Sequence, residues 1–477
     1  MGKNSREKNF LKSTLVLAFG VFLPKLASFV TLPIYTGRLT KAEYGSYDLI
    51  TILCTLLLPI ATLQIQSAVF RFLLDSKGDQ KVISSVVTIM YVFTIPVSAV
   101  TLTVMFFVLY KLPVFLRLLM IIYYFTDILL VTTRQVARGL HKNHIYSVSA
   151  IINAFLNMGL VIVFLVYLKT GLNGLVGSLC IATAVSFLYT FLALRTWRFI
   201  DLKTVNKKLF KDIISYSWPM VPNSISLWIM RLSDRFLILF FMGAPANAVY
   251  AVANKIPMLL QLAQNTFSMA WQESASVTVK DSDADAYYSG MFKTLHRFMS
   301  GFTALLLGFQ PIIFKILIRG DYGEAYIHIS ILTMGLFFST IATYLGGIYV
   351  ANMKTKSIGI TTVIAAALNF LINIIFINQI GIFAASFSTA ISYLVLMVYR
   401  LIDVRKFQKI RYPIREMVIV NVFLFIMCTL CYFRTMPVYI VNMAAGCILF
   451  LILNGPLLLT AAKKITKKLR RKERASE

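Results

Sequence analysis

Charged residues, and acidic residues above all, are scarce in this sequence. Only 14% of its 477 residues are charged, and 19 acidic residues stand against 47 lysines and arginines, which gives a formal net charge of +28. A water-soluble chain carries roughly 25% charged residues. The composition therefore argues against an ordinary soluble protein.

Residue patterns that support metal, redox or nucleotide chemistry are also missing. No glycine-rich phosphate loop is present, so direct use of ATP is not expected. Cys428 and Cys431 form a CxxC inside an apolar stretch without a second pair, and we interpret them as packing residues. The four histidines lack the spacing of a metal site: His141, His144, His296 and His328. The sequence predicts no metal and no cofactor.

What the chain does contain is long apolar runs. Apolar residues make up 58% of the sequence, and its mean hydropathy is +0.77. Runs of about 20 apolar residues match the ~30 Å hydrocarbon core as helices, and the alternation of a β-barrel is missing. We therefore predict an all-α integral membrane protein with about fourteen transmembrane helices. The predicted spans are 12–34, 47–70, 82–108, 114–134, 145–168, 172–194, 212–241, 247–272, 292–314, 326–351, 357–378, 381–400, 416–433 and 437–461.

The basic residues are distributed unequally between the two sides of these spans. One side, which includes both termini, holds 35 of the 47 lysines and arginines, the other side holds 8, and four lie inside spans. Cytoplasmic loops carry the excess of basic residues in membrane proteins. The sequence thus predicts a multi-pass membrane protein with both termini in the cytoplasm. Topology accounts for most of the positive charge, so nucleic acid is not expected as a partner.

An internal repeat relates the first six spans to the second six. An Asn in a span of each half is followed by a Gly and a Ser, with offsets of 212 residues at the Asn and 210 at the Gly and Ser. We predict two six-helix lobes, residues 1–200 and 201–411, related by a parallel repeat, then two helices and a basic tail over 412–477. The matched pairs are Lys142 with Lys354, Asn157 with Asn369, Gly171 with Gly381, and Ser178 with Ser388.

Four cations fall inside predicted spans: Lys25, Arg231, Arg235 and Lys255. A charge at the bilayer centre costs on the order of 3 kcal/mol, so it persists where it is paired, hydrated or functional. Snorkelling or salt bridges would explain one such residue, whereas four of them favour a cationic chamber. Lysine and arginine bind phosphate, so the chamber predicts an anionic cargo.

Acidic and amide side chains are the remaining candidates. Asp234, three residues after Arg231, could neutralise it in part. Asp127 could serve ion or proton coupling, or pair with Arg134 or a cavity water. Asp48, at the start of the second span, is with Asp127 and Asp234 a candidate for a modulating or coupling role. The nature of a coupling ion, Na⁺ or H⁺, stays open. Sugar contacts or helix–helix ties are equally good interpretations of five amide residues: Gln64, Gln66, Asn223, Gln261 and Asn265.

Several motifs resemble those of one transporter family. Residues 32–39 (LPIYTGRL) and 43–47 (EYGSY) resemble the junction between helices one and two of bacterial polysaccharide (O-antigen type) flippases. Residues 231–236 (RLSDRF) resemble the Asp-Arg signature of their seventh helix, and Tyr250 with residues 267–271 (FSMAW) resembles the eighth. Their superfamily also contains the multidrug and toxin extruders and the lipid II flippases.

The resemblance implies a two-lobed transporter that alternates between inward-open and outward-open states. It implies an undecaprenyl-diphosphate-linked oligosaccharide as cargo, moved from the cytoplasmic to the outer leaflet. Membrane lipids, and a glycan polymerase and glycosyltransferases of the same pathway, are the expected partners. A lipid II flippase or a multidrug extruder of the same fold is the alternative. A membrane-embedded glycan polymerase or ligase is the alternative of another class, and the short external loops argue against an enzyme.

Overall fold

The computed structural model describes residues 23–473 apart from residues 77, 111, 280 and 353, although not every side chain within them. All regular secondary structure in this part of the chain is helical. The all-α prediction is therefore confirmed. The chain forms two compact units, one comprising the residues up to Ser233 together with Leu317–Asp321, the other Asp234–Ile316 with Tyr322–Glu477. The predicted lobe boundaries remain a prediction.

The first unit contains the helices before residue 233. The helices are α1 (residues 23–38 of the described chain), α2 (Lys41–Thr62), α3 (Ile65–Asp75), α4 (Gln80–Val108), α5 (Val114–Gly139), α6 (Asn143–Val161, continued by a π-helical turn, Ile162–Tyr167), α7 (Gly171–Leu194) and α8 (Lys207–Ser217). α9 (Met220–Met242) begins in this unit and ends in the second. α5 packs against α7, α3 and α4, and α8 packs against α3 and α4.

The second unit contains the remaining helices. They are α10 (Ala244–Ala253), α11 (Met258–Thr278), α12 (Ala284–Leu317), α13 (Ala325–Ala351), α14 (Thr355–Ile380), α15 (Ile382–Val404), α16 (Ile414–Leu430) and α17 (Met436–Glu473). α13 lies at the centre of the packing and contacts α10, α11, α14, α15 and α16. It is also the most buried of the long apolar helices.

Ten of the described helices are long and apolar enough to cross a membrane: α2, α4, α5, α6, α7, α12, α13, α14, α15 and α17. The other four predicted spans fall outside this set for different reasons. The span at 12–34 lies partly outside the described residues, and α9 carries three charged residues close together. The span at 247–272 is broken, and α16 has only 17 residues.

Three predicted spans are interrupted, which the hydropathy did not reveal. The predicted span 47–70 breaks between α2 and α3, where Leu63 and Gln64 have φ of 45° and 58°. Two left-handed residues cannot continue a right-handed helix. The Thr62 hydroxyl accepts the Gln64 N–H at 3.2 Å and so satisfies one of the freed groups.

The predicted span 247–272 breaks in the second unit, between α10 and α11. Residues 254–257 form turns there, and Pro257 lacks the N–H that a continuous helix would use. Pro219 similarly separates α8 from α9, so the predicted span 212–241 is two helices.

The repeat is visible in the local geometry of both units. Lys142 N–H donates to Ala137 O, and Lys354 N–H donates to Tyr349 O, each at 2.8 Å and each at the offset of 212. α5 and α13 end at the same offset, and α7 and α15 end at the offset of 210. Gly171 and Gly381, the matched glycines, both have positive φ, of 58° and 59°. The matched Asn and Ser side chains also meet in both units, at 2.9 Å for Asn157–Ser178 and 3.3 Å for Asn369–Ser388.

Each unit also holds a guanidinium at the junction of three corresponding helices. In the first unit Arg134 of α5 donates to Ser149 of α6, at 3.0 Å from Nε to the hydroxyl and 2.8 Å from Nη2 to the carbonyl. Thr190 of α7 donates to the same hydroxyl at 2.7 Å.

The second unit has the arginine on a different helix. Offsets of 212 and 210 match Arg134, Ser149 and Thr190 to Gly346, Thr361 and Arg400. Arg400 of α15 is 5% exposed and donates to Thr361 at 3.1 and 3.2 Å, to Thr362 at 2.9 Å and to Ala342 O at 2.8 Å. A Cβ added to Gly346 would lie 3.0 Å from its Nη1. The arginine is thus on the first of the three helices in one unit, α5, and on the last of them in the other, α15. In both units it contacts the middle helix, α6 or α14.

Candidate functional site

The four intramembrane cations are divided between the two units. Lys25 lies in α1 and is half-buried, and the Arg231 side chain lies outside the described residues. Arg235 is half-buried in α9, directly after Asp234, and Lys255 is half-buried in the break between α10 and α11. At this break the backbone N–H of Lys255 donates a hydrogen bond to Val252 O at 3.0 Å. The chamber that these cations would line remains a prediction.

Asp234 is the centre of a polar cluster inside the second unit. Its side chain is 9% exposed. Oδ2 accepts hydrogen bonds from the Tyr250 hydroxyl at 3.0 Å and the Thr389 hydroxyl at 2.6 Å, while Oδ1 accepts from Asn373 Nδ2 at 2.9 Å. Four helices, α9, α10, α14 and α15, therefore meet at one carboxylate.

The donors of this cluster explain how an acidic residue persists among apolar helices. Hydrogen bonds to an ionised group are about twice as strong as neutral ones, so three of them compensate for much of the lost hydration. The bonds described here come from uncharged side chains, and the predicted neutralisation of Arg231 by Asp234 stays a prediction. Asn373 Oδ1 is buried and has no hydrogen-bond partner among the described residues. It adds an unsatisfied acceptor beside the carboxylate oxygens.

The first unit has a polar cluster of different composition in corresponding helices. Asn157 of α6 and Ser178 of α7 are hydrogen-bonded, as are their counterparts beside Asp234. The rings of Tyr35, Tyr44 and Tyr47 pack together at the α1–α2 junction, with Tyr35 and Tyr47 5.6 Å apart. The sequence motifs at 32–39 and 43–47 thus contribute an aromatic cluster.

The other two acidic candidates lie in the first unit. Asp48 is 5% exposed in α2. Asp127 is half-buried in α5, two turns before Arg134. The hydrogen bonds described for Arg134 go to Ser149, not to Asp127. A coupling role for either acid remains a prediction.

The amide candidates differ in their surroundings. Gln64 donates to the Ser224 hydroxyl at 2.9 Å and accepts from Gln66 at 3.0 Å, so this pair ties α3 to α9 within the first unit. Gln261 is half-buried and Asn265 is exposed, one turn apart on α11. The side chain of Asn223 lies outside the described residues.

Sequence reasoning missed several residues that the fold places in polar sites. The predicted spans 114–134 and 381–400 end at Arg134 and Arg400, which assigns both residues to cytoplasmic loops, but α5 and α15 continue past them. Gln264 of α11 bonds Thr343 at 2.6 Å and Thr340 at 3.1 Å and so joins α11 to α13. Helix ends cannot be located from hydropathy to within one turn, so a residue near an end is easily assigned to a loop. The repeat offers one signal for Arg134: at the offset of 212 its match is Gly346, so the two repeats differ in side chain at this position.

Comparison with known proteins identifies both family and fold. The family model described as "Polysaccharide biosynthesis protein" matches residues 10–272. No curated protein sequence matches the chain significantly.

Solved structures with a similar fold include two kinds of transporter. One is the lipid II flippase MurJ in an inward closed conformation, with 14% identity, a TM-score of 0.70, and coverage of 94% of this chain and 100% of that chain. Another is an inward-facing multidrug resistance MATE family transporter of the MOP superfamily, with 14% identity, a TM-score of 0.68, and coverage of 83% and 97%. At such low identity these likenesses establish the fold.

Proposed function

Because this chain belongs to the polysaccharide biosynthesis protein family, we propose that it is a flippase for undecaprenyl-diphosphate-linked oligosaccharide. The cargo moves from the cytoplasmic to the outer leaflet of a bacterial plasma membrane by alternating access. Both termini are cytoplasmic in this proposal. The glycosyltransferases that build the cargo act before it and the glycan polymerase that uses the cargo acts after it.

The observation that carries the proposal is the family match together with a fold shared with transporters. A bare diphosphate cannot cross hydrocarbon, because the transfer of an unpaired charge costs tens of kcal/mol in the limiting case. Lys25, Arg231, Arg235 and Lys255 supply cations in predicted spans, and Lys25, Arg235 and Lys255 are half-buried rather than fully packed away. In the proposal these residues bind the diphosphate, and the polyprenyl chain stays in lipid.

Asp234 is proposed to couple transport to a monovalent cation, Na⁺ or H⁺. Its two carboxylate oxygens and the unsatisfied Asn373 Oδ1 are the oxygen acceptors that either ion would use. Since the site is formed by α9, α10, α14 and α15, occupancy would change the packing of α9, which carries Arg235, and of α10, which ends two residues before Lys255.

Reconstitution into liposomes tests the cargo. Fluorescent lipid-linked oligosaccharide is added, and the fraction accessible from each side is followed for wild type, Lys25→Ala and Arg231→Ala. Lys207→Ala is the matched control, because Lys207 is an exposed cation on α8. Loss of flipping in the first two variants with normal insertion, and retention in the control, is expected. Unchanged flipping in both Lys25→Ala and Arg231→Ala would refute the cationic chamber. Faster transport of lipid II than of the lipid-linked oligosaccharide would reassign the cargo.

The coupling role is tested in the same liposomes. Asp234→Asn keeps the size of the side chain and removes its charge, so flipping is expected to lose its dependence on an imposed Na⁺ or H⁺ gradient. Asp403→Asn is the control, because Asp403 is a carboxylate at the end of α15 that bonds Tyr349 and Lys406. Gradient dependence that survives in Asp234→Asn contradicts the role.

A further inference from the structure

An apolar groove of about 450 Å³ lies on the first unit, between α4, α5 and α7. Its volume falls within the range of small-ligand pockets (~300–1,000 Å³). Val92 and Ile95 in its lining are 49% and 43% exposed. The lining is apolar and aromatic throughout and includes Val92, Ile95, Pro96, Phe187, Phe191 and Ile200.

Pro96 helps to shape this groove. It lies inside α4 and has no N–H to bond the carbonyl one turn earlier, that of Val92, so the helix is weakened where the groove forms. The polar atom of the groove-lining Tyr91 is already used, because its hydroxyl bonds Thr133 at 2.7 Å. The groove thus offers contact to hydrocarbon and no unused side-chain hydrogen bond.

The mouth of the groove is basic and aromatic. Ile200 ends a short 3₁₀ turn, Thr196–Phe199, that packs on the beginning of α4 through hydrogen bonds from Ser84 and Thr88 to Phe199 O at 2.8 and 3.1 Å. Trp197 in this turn is 46% exposed, and its ring lies 5.9 Å from that of Phe191. Three exposed cations lie within six residues of it along the chain: Arg195, Arg198 and Lys203.

In the second unit, α12 is the helix that corresponds to α4, and other segments of the chain cover it. The segment after α15 also packs on the matching helix, since Arg411 N–H donates to Ser289 of α12 at 2.9 Å. Further along α12, the chain's own α16 and α17 lie against it. Arg297 makes two hydrogen bonds of 2.7 Å to Glu416, and a Cβ on Gly301 would lie 2.9 Å from the Phe450 side chain.

This difference between the units decides what kind of occupant fits. The protein helices that cover α12 do so with an ion pair, a glycine contact and the Asn454 amide, which donates to Arg297 O at 3.2 Å. Such contacts are the features that recognise a helix in a membrane. The groove on α4 has none of these features, but it has a cationic, tryptophan-bearing mouth. Such a mouth is typical of the interface with anionic lipid.

We infer that this groove is a binding site for an anionic phospholipid of the cytoplasmic leaflet. One acyl chain lies between α4 and α7 along Ile95, Pro96 and Phe187. The phosphate group is bound by Arg195, Arg198 and Lys203, with Trp197 at the level of the glycerol backbone. The site does not depend on the identity of the cargo.

Tryptophan fluorescence in nanodiscs tests the site with the full chain. Phosphatidylglycerol with a dibrominated acyl chain is titrated into phosphatidylcholine nanodiscs, and quenching of Trp197 is obtained as the difference between wild type and Trp197→Phe. Half-maximal quenching is expected at a lower mole fraction of the brominated phosphatidylglycerol than of brominated phosphatidylcholine. The Arg195→Gln/Arg198→Gln/Lys203→Gln variant should need about a hundredfold more of the anionic lipid, since three contributions of about fivefold each multiply to that factor. Ile95→Phe, which fills the groove, should also weaken quenching.

The matched control removes three exposed cations from the neighbouring helix α8, in Lys207→Gln/Lys208→Gln/Lys211→Gln. It should leave quenching of Trp197 within about twofold of wild type. An equal effect of both triple variants would reduce the observation to general surface charge and overturn the site. Equal quenching by the two brominated lipids would overturn it as well. Displacement of phosphatidylglycerol by lower amounts of a polyprenyl phosphate would assign the groove to a polyprenyl chain instead. Melting temperatures of the variants show whether each one is folded.

Discussion

Moving the buried arginine of the second unit to its repeat-related position should preserve the unit. Arg400→Thr places in α15 the residue type that α7 has at Thr190, and Gly346→Arg places in α13 the arginine that α5 has at Arg134. Each change alone is expected to destabilise the protein. Together they should compensate, because the guanidinium returns to the same junction from the other helix.

The magnitudes follow from the contacts of Arg400. Its guanidinium donates to two carbonyls and two hydroxyls, with the shortest bond 2.8 Å long. Hydrogen bonds to a charged group contribute about 1.5–3 kcal/mol each, and removal of the guanidinium also removes its desolvation penalty. We expect Arg400→Thr to cost about 2–4 kcal/mol. Gly346→Arg alone should cost about 3 kcal/mol or more, since its Cβ would lie 3.0 Å from Arg400 Nη1 and two guanidiniums would share one site.

Thermal unfolding of the four proteins in one detergent gives the double-mutant cycle. The double variant should be more stable than either single variant, with a coupling of at least about 2 kcal/mol. Lys409→Thr is the control, because Lys409 is exposed and its loss should change stability by less than about 0.5 kcal/mol. A double variant as unstable as the sum of the single changes would refute the equivalence of the two sites.

Three further predictions concern local structure. Gly381→Ala should destabilise the protein by about 1–3 kcal/mol in thermal unfolding, because φ is 59° there and the new Cβ would lie 3.1 Å from Met242 Cε. Unchanged stability of this variant would contradict the backbone geometry. Thr40→Ala should cost about 1 kcal/mol in the same assay, because it removes one half of the capping box that Thr40 forms with Glu43 at the start of α2, while Thr40→Ser should be close to neutral. Glu416→Gln should cost about 1–2 kcal/mol and be non-additive with Arg297→Gln, since two 2.7 Å charge-assisted bonds join α16 to α12; additive costs would mean that the pair does not interact.

Much of the architecture could be predicted from hydropathy and from the repeat. Both signals are carried by many residues, so errors at single positions matter little. Helix existence, the all-α class and the matched pairs Asn157–Asn369 and Gly171–Gly381 could therefore be found by reading the chain alone. The bonds from Ser178 to Asn157 and from Asn369 to Ser388 show that the matched positions join the same two helices in each unit.

The breaks at Leu63–Gln64 and at residues 254–257 could not be predicted in this way. Hydropathy averages over a window and reports apolar content, and apolar content does not change where a helix is interrupted. Pro59 and Pro257 are visible in the sequence, but a proline inside a membrane helix is tolerated when its neighbours satisfy the freed backbone groups. Whether they do depends on side chains such as that of Thr62, and on the packing around them.

The candidate site is likewise predictable from the sequence only in part. Asp234 stands out in the sequence because an acidic residue inside an apolar span is costly, and this cost alone marks it as a residue that needs partners. The identity of the partners, Tyr250, Asn373 and Thr389, could not be read from the chain, since they lie between 16 and 155 residues away along it.

Scarcity of charge and the length of the apolar runs determined by themselves that this chain is a bundle of membrane helices, because transfer free energy is summed over the residues of each segment. Only the tertiary structure decided which polar groups are satisfied and which remain open. A hydrogen bond depends on distances of a few tenths of an ångström between residues that are distant in the chain. The guanidiniums of Arg134 and Arg400, assigned to loops by hydropathy and bound at helix junctions in the fold, show that difference most directly.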